Sequence, residues 1–269
     1  MDRPDLTQWD VILVNSSAGK DSQAMLDLVV ELAREAGVLD RVVVVHADLG
    51  RMEWAGTGEL AELQARHYGV PFRKVKREKG DLLDQVEARR MWPGHSTRYC
   101  TSDQKRDQVG KVITAMHREW TAAGNRGTFR LLNCLGLRAE ESPSRAKKAA
   151  LKRNARASTK SGTREVWDWL PVQDWTVAEV WDRIRKSGVP HHRAYDLGMP
   201  RLSCVFCIFA PRAALVLAGS YNRDLLDQVV ELEARIDHRF RQDLTLAEVR
   251  EAVERGEAGE VQDVDTWCC

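Results

Sequence analysis

Residues 11–22 read VILVNSSAGKDS: an apolar, β-branched run, four small residues, then a lysine, an aspartate and a serine. The residues after them, QAMLDLVVELAREAG, carry Met25, Leu28, Val29 and Leu32 at three- and four-residue steps, which predicts a helix over 20–36. A strand end that feeds a helix N-terminus presents unbonded backbone amides and the positive end of the helix dipole, so it suits an anion. Ser16, Ser17, Ala18 and Gly19 are small enough for the backbone to approach a ligand. Lys20 adds charge, and the Ser17 and Ser22 hydroxyls can bond phosphate oxygens. The common nucleotide loop needs two glycines five positions apart followed by Lys-Ser or Lys-Thr. Here Gly19 alone precedes the lysine and Asp21 intervenes, so the stretch is either another kind of phosphate cradle or a tight turn without a ligand.

The same alternation continues along the chain. RVVVVHAD (41–48) is a short, nearly continuous apolar run, as expected of a strand covered on both faces. Helical patterns occupy 58–68 and 104–121, with strands near 71–75 and 129–136. Strands alternating with helices imply right-handed crossovers, a doubly wound, mostly parallel α/β sheet, and ligands at the carboxyl ends of the strands. On that rule Asp48, at the end of the second strand, can accept from ribose or adenine, although Asp before Leu-Gly is also turn chemistry. Thr176 with Glu179, and Thr245 with Glu248, form capping boxes that open helices ending near Gly188 and Arg255, and a further helix covers 223–239.

Forty-one basic residues against forty acidic ones leave a net charge of +1, so any nucleic-acid surface must be local. Residues 144–164, SRAKKAALKRNARASTKSGTR, hold eight Lys or Arg and no acid, and are read as a mobile basic loop that either holds nucleic acid or is a solvated face. No stretch approaches the length of a membrane span and the N-terminus lacks a signal core, so a soluble, cytoplasmic protein is expected. Six cysteines in that setting point to metal or redox groups. Cys204 and Cys207, with Cys100 brought to the same sheet edge, could hold an iron-sulfur cluster or zinc, or be reduced thiols at the start of the apolar helix VFCIFAPRAALVLAG.

The opening stretch resembles the pyrophosphate loop, SGGxDS, of the PP-loop ATP pyrophosphatases, with Ala18 at the first glycine. STRYCTSDQKRDQV (96–109), LGLRAEESPSR (135–145), DWTVAEVW (174–181) and GVPHHRAYDLGMPRLSC (188–204) with the adjoining VFC resemble, in order, the phosphoadenosine phosphosulfate (PAPS) reductase family of that superfamily. The resemblance spans about residues 10–215. It implies an adenine nucleotide alpha hydrolase-like, Rossmann-like domain over 1–215 and a helical C-terminal extension with a loose tail over 216–269. It implies further that Ser16, Ser17, Gly19, Lys20, Asp21 and Ser22 bind the pyrophosphate of ATP, with Asp21 near Mg²⁺. Arg138 and Arg145 would meet phosphate or sulfate oxygens, with Glu141 and Ser142 fixing their turn, unless the arginines pair with local acids such as Glu140.

Within the family, reductases of preformed sulfonucleotides tend to lose the Lys-Asp pair and attack through a C-terminal cysteine in a Glu-Cys-Gly-(Ile/Leu)-His setting. This chain keeps Lys20 and Asp21 and ends Thr266-Trp267-Cys268-Cys269. The expectation is therefore an ATP-consuming enzyme that adenylates an acceptor, nucleic acid among those considered, releases pyrophosphate and is linked to sulfur transfer. The alternatives are a sulfonucleotide reductase that makes sulfite, and a non-catalytic nucleotide-binding module.

Overall fold

A computed structural model describes residues 3–257; Cys268 and Cys269 lie outside the described residues. The chain divides into two compact units, interleaved in sequence. The first comprises residues 1–47, 56–75 and 107–192, and the second 48–55, 76–106 and the chain from 193 onward.

The first unit is built on a six-stranded sheet: β1 (Val11–Asn15), β2 (Val42–Asp48), β3 (Phe72–Lys76), β4 (Phe129–Cys134), β5 (Leu151–Arg153) and β6 (Arg164–Trp169), in the order β3-β2-β1-β4-β6-β5. β1 pairs in parallel with β2 and β4, β4 pairs in parallel with β6, and β5 runs antiparallel to β6. Ile12, Leu13 and Val14 are wholly buried, because both faces of β1 are covered and no polar alternation is tolerated there. One face packs Ile12, Val14 and Leu132 against Met25 and Val29 of α1 (Lys20–Glu35). The other packs Leu13, Val45 and Leu131 against Val112, Ile113 and Met116 of the helix at Asp107–Ala122.

The remaining helices of this unit are α2 (Thr57–His67), the 107–122 helix, here α5, a single turn α6 (Pro143–Ala146) and α7 (Val177–Ser187). α7 opens on the expected Thr176–Glu179 capping box and stops at Gly188, whose φ of 67° suits glycine.

The second unit is helical: α3 (Leu82–Arg89), a turn α4 (Tyr99–Thr101), α8 (Arg212–Tyr221), α9 (Arg223–Ile236) and α10 (Leu246–Glu254). α3, which the apolar pattern did not reveal, opens on an Asp81–Asp84 capping box.

Two expectations need correction. The boundary at 215/216 is not where the chain divides, because 48–55 and 76–106 are held by the C-terminal helices. Met52 O accepts from Val205 N at 2.9 Å, Arg235 Nε meets Glu87 at 2.8 Å, and Trp92 lies edge-on to Phe240. The basic stretch 144–164 is not a structureless mobile loop either. It contains β5, and Asn154 fastens the next turn by donating to both oxygens of Asp168 at 3.0 Å and accepting from Ala157 N at 3.0 Å. Backbone pairing to β6 and the Arg156–Asp107 ion pair at 2.6 Å supply what the segment's own composition lacks.

Asn154→Ala removes three hydrogen bonds worth about 1 kcal/mol each. Limited trypsin digestion is expected to cut the variant after Lys152, Arg153 or Arg156 well before wild type. Equal, rapid cleavage of both would mean that the segment is not held.

Candidate functional site

The pyrophosphate-type loop lies where β1 hands over to α1. No side chain caps α1 among the described residues: Gly19 is the N-cap, in an extended conformation. Ala18 is fully buried with φ 55°, the left-handed region where glycine is at ease and alanine costs about 1–2 kcal/mol. The loop carries that strain at Ala18. Side chains hold it there. Ser22 Oγ accepts from Ser17 N at 3.2 Å, lies 3.3 Å from Ser17 Oγ and donates to the Gly19 carbonyl at 2.9 Å, while Ser16 Oγ accepts from Ala18 N at 3.1 Å. The hydroxyls expected on phosphate therefore first shape the cradle. His46, buried on β2, places Nδ1 3.0 Å from the Ser16 carbonyl, a contact the sequence did not signal.

Lys20 is buried at the start of α1, with Nζ 3.9 Å from Asp21 Oδ2. The other Asp21 oxygen, Oδ1, accepts from Arg138 Nε at 2.6 Å. Arg138 comes from the turn after β4 and is 4% exposed; its Nη1 also meets Glu140 and, at 3.3 Å, the Trp175 carbonyl. Burial works against its charge, but Asp21 and Glu140 outweigh burial and raise the guanidinium further above its ordinary value. Glu141 accepts from Arg138 N at 3.0 Å and pairs with the buried Arg145, and Ser142 caps α6 by accepting from Arg145 N. Glu141 and Ser142 thus hold this turn, and both arginines stand on carboxylates. Glu140 also accepts from Val177 N at 2.9 Å, at the positive end of α7.

Gly136 makes this juxtaposition possible. Its φ is ordinary, but a Cβ there would lie 3.0 Å from Asp21 C, Ser22 Cα and Ser22 N. The turn after β4 therefore runs against the backbone at the start of α1. Gln173, also buried, ties the turn onward: its carbonyl accepts from Ala139 N at 2.7 Å and its Nε2 donates to the Lys148 carbonyl at 2.6 Å. A polar row crosses the strand ends as well. Asn15 Nδ2 donates to Asn133 Oδ1 at 2.7 Å, and Asn133 Nδ2 donates to Asp168 Oδ1 at 2.7 Å.

The second unit holds Asp48, Cys100, Cys204 and Cys207. Asp48 Oδ1 accepts from Gly50 N at 2.7 Å, the turn bond its sequence allowed. The stretch 96–109 winds through a π-type turn over 102–106, a deformation common at functional sites. Asp103 on that turn accepts from Gln85 at 2.7 Å and Arg89 at 3.2 Å, and lies well below the usual carboxylate range, first through its bond from Ser102.

The two cysteines of the CxxC do not begin a helix. Turns occupy the chain there and α8 starts after Pro211, which cannot donate to a preceding helical turn. Burial pushes the Cys204 thiol up to about 12, with Lys105 pulling the other way and Cys207 and Cys100 adding to the rise. All three are reduced and half-buried, yet among the described residues no three or more His, Cys, Asp or Glu are gathered to hold a metal ion. The donor set as placed does not fit a cluster or zinc. Cys134 is wholly buried in the core of the first unit, which raises its thiol far above the ordinary value.

Residues 11–210 match the phosphoadenosine phosphosulfate reductase domain. The chain belongs to that family. Among its relatives, an uncharacterized protein of Methanocaldococcus jannaschii is 26% identical over 196 residues, 73% of this chain and 36% of its own. An adenosine 5'-phosphosulfate reductase of Staphylococcus haemolyticus is 24% identical over 204 residues, 75% of this chain and 72% of its own. This PAPS reductase-family chain thus spans about a third of the first relative's length. Among solved structures, Candida glabrata FMN adenylyltransferase in complex with FMN and an ATP analogue superimposes with a TM-score of 0.51 at 14% identity, over 74% of this chain and 58% of its own, a likeness of fold. No helix among the described residues is long and apolar enough to cross a membrane.

Gly136→Ala is expected to lower the unfolding free energy by about 1–3 kcal/mol, because rigid backbone rather than a side-chain tip meets the new methyl. Gly110→Ala, in α5 with open space around it, is expected to raise it by up to about 1 kcal/mol. Urea titration of both variants checks the contrast; a neutral Gly136→Ala would mean that the turn is free to move away from α1.

Proposed function

We propose that the chain is a PP-loop ATP pyrophosphatase that adenylates an acceptor and releases pyrophosphate, in a sequence linked to sulfur transfer. The observation that carries this reading is Lys20-Asp21 at the N-terminus of α1, with Asp21 braced by Arg138 at 2.6 Å. A nucleotide that arrives without a pyrophosphate to release needs neither residue.

In the proposed step an acceptor oxygen forms a bond to the α-phosphorus, and the bond from that phosphorus to the bridging oxygen breaks. Pyrophosphate departs with the electron pair, and the acceptor's proton passes to solvent. Amides of 19–22 and Lys20 hold the departing oxygens, and fixed donors in a preorganised site act where charge develops. Asp21 Oδ2, the oxygen that Arg138 does not take, is the carboxylate available to Mg²⁺, which commonly binds one or two carboxylates together with substrate phosphates. Mg²⁺ would supply charge neutralisation on those phosphates. Arg138 and Arg145 act from the turn after β4, Arg138 by orienting Asp21 and both by meeting acceptor or phosphoryl oxygens when these displace a carboxylate. Adenylation requires no side-chain nucleophile. A hydrosulfide equivalent then forms the bond to the acceptor as AMP leaves. The basic segment 144–164 offers a nucleic-acid acceptor its backbone contacts.

The names of the Staphylococcus haemolyticus relative and others like it favour a second reading, reduction of a sulfonucleotide to sulfite. Pyrophosphate release from ATP with Mg²⁺ separates the two. Lys20→Ala and Asp21→Ala are each expected to reduce release by about 10²–10³ fold. Sulfite formed from adenylyl sulfate without ATP, and unaffected by either substitution, would overturn the adenylation reading.

A further inference from the structure

About half of the arginines stand against a carboxylate among the described residues, Arg51, Arg73, Arg138, Arg183 and Arg241 among them. One segment concentrates cations that do not. Lys147, Lys148, Lys152, Arg153 and Lys160 are all exposed and have no ion pair among the described residues, whereas Arg145 and Arg156 of the same segment find Glu141 and Asp107. The strip runs along β5, which ends the sheet, so its cations sit on an ordered edge held by β6 and Asn154. A charged edge also protects a strand from unwanted pairing, but two cations on a three-residue strand suffice for that.

We infer that this edge docks a nucleic-acid duplex by its phosphate backbone, without reading bases. Five exposed cations without an ion pair, gathered on one segment at the sheet edge, suit a polyanion. Residues 144–164 contain no aromatic side chain, so the stacking platforms by which single strands are held are missing from the segment. The near end of the strip is fastened to the candidate site. Gln173 bonds the Lys148 carbonyl and, through its own carbonyl, the Ala139 amide next to Arg138. A duplex on the strip is therefore presented to the turn that braces Asp21. Docking deepens the proposed acceptor reading and rests on it only for the transfer step after binding.

The test is anisotropy of the full chain with a labelled DNA duplex, an RNA duplex, a single strand of equal length and polyglutamate, across a salt series. Five phosphate contacts predict a slope of log K on log salt of about −4 to −5, or roughly 500-fold weaker duplex binding at 200 mM than at 50 mM salt. Either duplex bound with that slope, more tightly than the single strand, supports the inference. The double substitution Lys152→Gln with Arg153→Gln, at exposed positions, is expected to make the slope shallower by about 2. A wild-type slope shallower than about −2, equal binding of the single strand or polyglutamate, or an unchanged slope in the double variant overturns it. Pyrophosphate release is measured in parallel. Duplex binding without release leaves the docking surface and sinks the adenylation reading, and release without duplex binding does the reverse.

Discussion

Asp21 and Arg138 meet across the gap between two strand ends, and the architecture of the site depends on that contact. β1 and β4 are parallel neighbours, with β2 on the far side of β1 and β6 on the far side of β4, the arrangement at whose carboxyl edge open α/β sheets bind ligands. The pair, 2.6 Å apart and nearly removed from solvent on the arginine side, joins the connections that leave β1 and β4. With either partner removed, Arg138 would keep Glu140 and Asp21 would keep Lys20 at 3.9 Å, so the loss falls on the geometry of the turn as much as on charge. Gly136 is the steric condition for the pair: without its missing side chain the Arg138 turn could not lie against the first residues of α1.

Much of this was legible from residue patterns. Apolar runs at 11–14 and 42–45, the three-and-four spacing of α1, and the capping boxes at Thr176 and Thr245 are local signals, and the corresponding elements formed within one or two residues of the expected ends. The longer 223–239 helix stopped at Ile236, where Asp237 turns left-handed. What was not legible is non-local. Nothing near Asn154 says that its partner is Asp168, and nothing in 76–106 says that α9 will hold it. The basic segment misled for the same reason: composition reports self-repulsion within a stretch, while its order comes from a neighbouring strand and a carboxylate 49 residues away. Gly136 and Gln173 carry no chemistry of their own and so gave no signal, although the site's geometry passes through both.

The loop holds a strained residue at its centre. Ala18 takes a left-handed backbone, and its methyl is fully buried. The Ser22 hydroxyl, bonded to both arms of the loop, and the Ser16 hydroxyl hold the strained residue in place. Strain of about 1–2 kcal/mol survives only where the surroundings over-determine the conformation, and such sites cluster where ligands are gripped.

Charge balance sharpens what the site asks of its ligand. Lys20, Arg138 and Arg145 face Asp21, Glu140 and Glu141, three cations against three carboxylates, all linked by the contacts described. Among the contacts described the charges balance. On the proposed reading, the dipole of α1 and the metal that travels with ATP add to the attraction for a pyrophosphate. Anion arrival also has a local consequence. Each phosphoryl oxygen that takes a guanidinium nitrogen of Arg138 releases a carboxylate oxygen, and Asp21, beside Lys20 and the loop, is placed to pass from Arg138 to a divalent cation. On the proposed reading, the ion pair that joins the two strand ends is the one whose exchange admits the nucleotide.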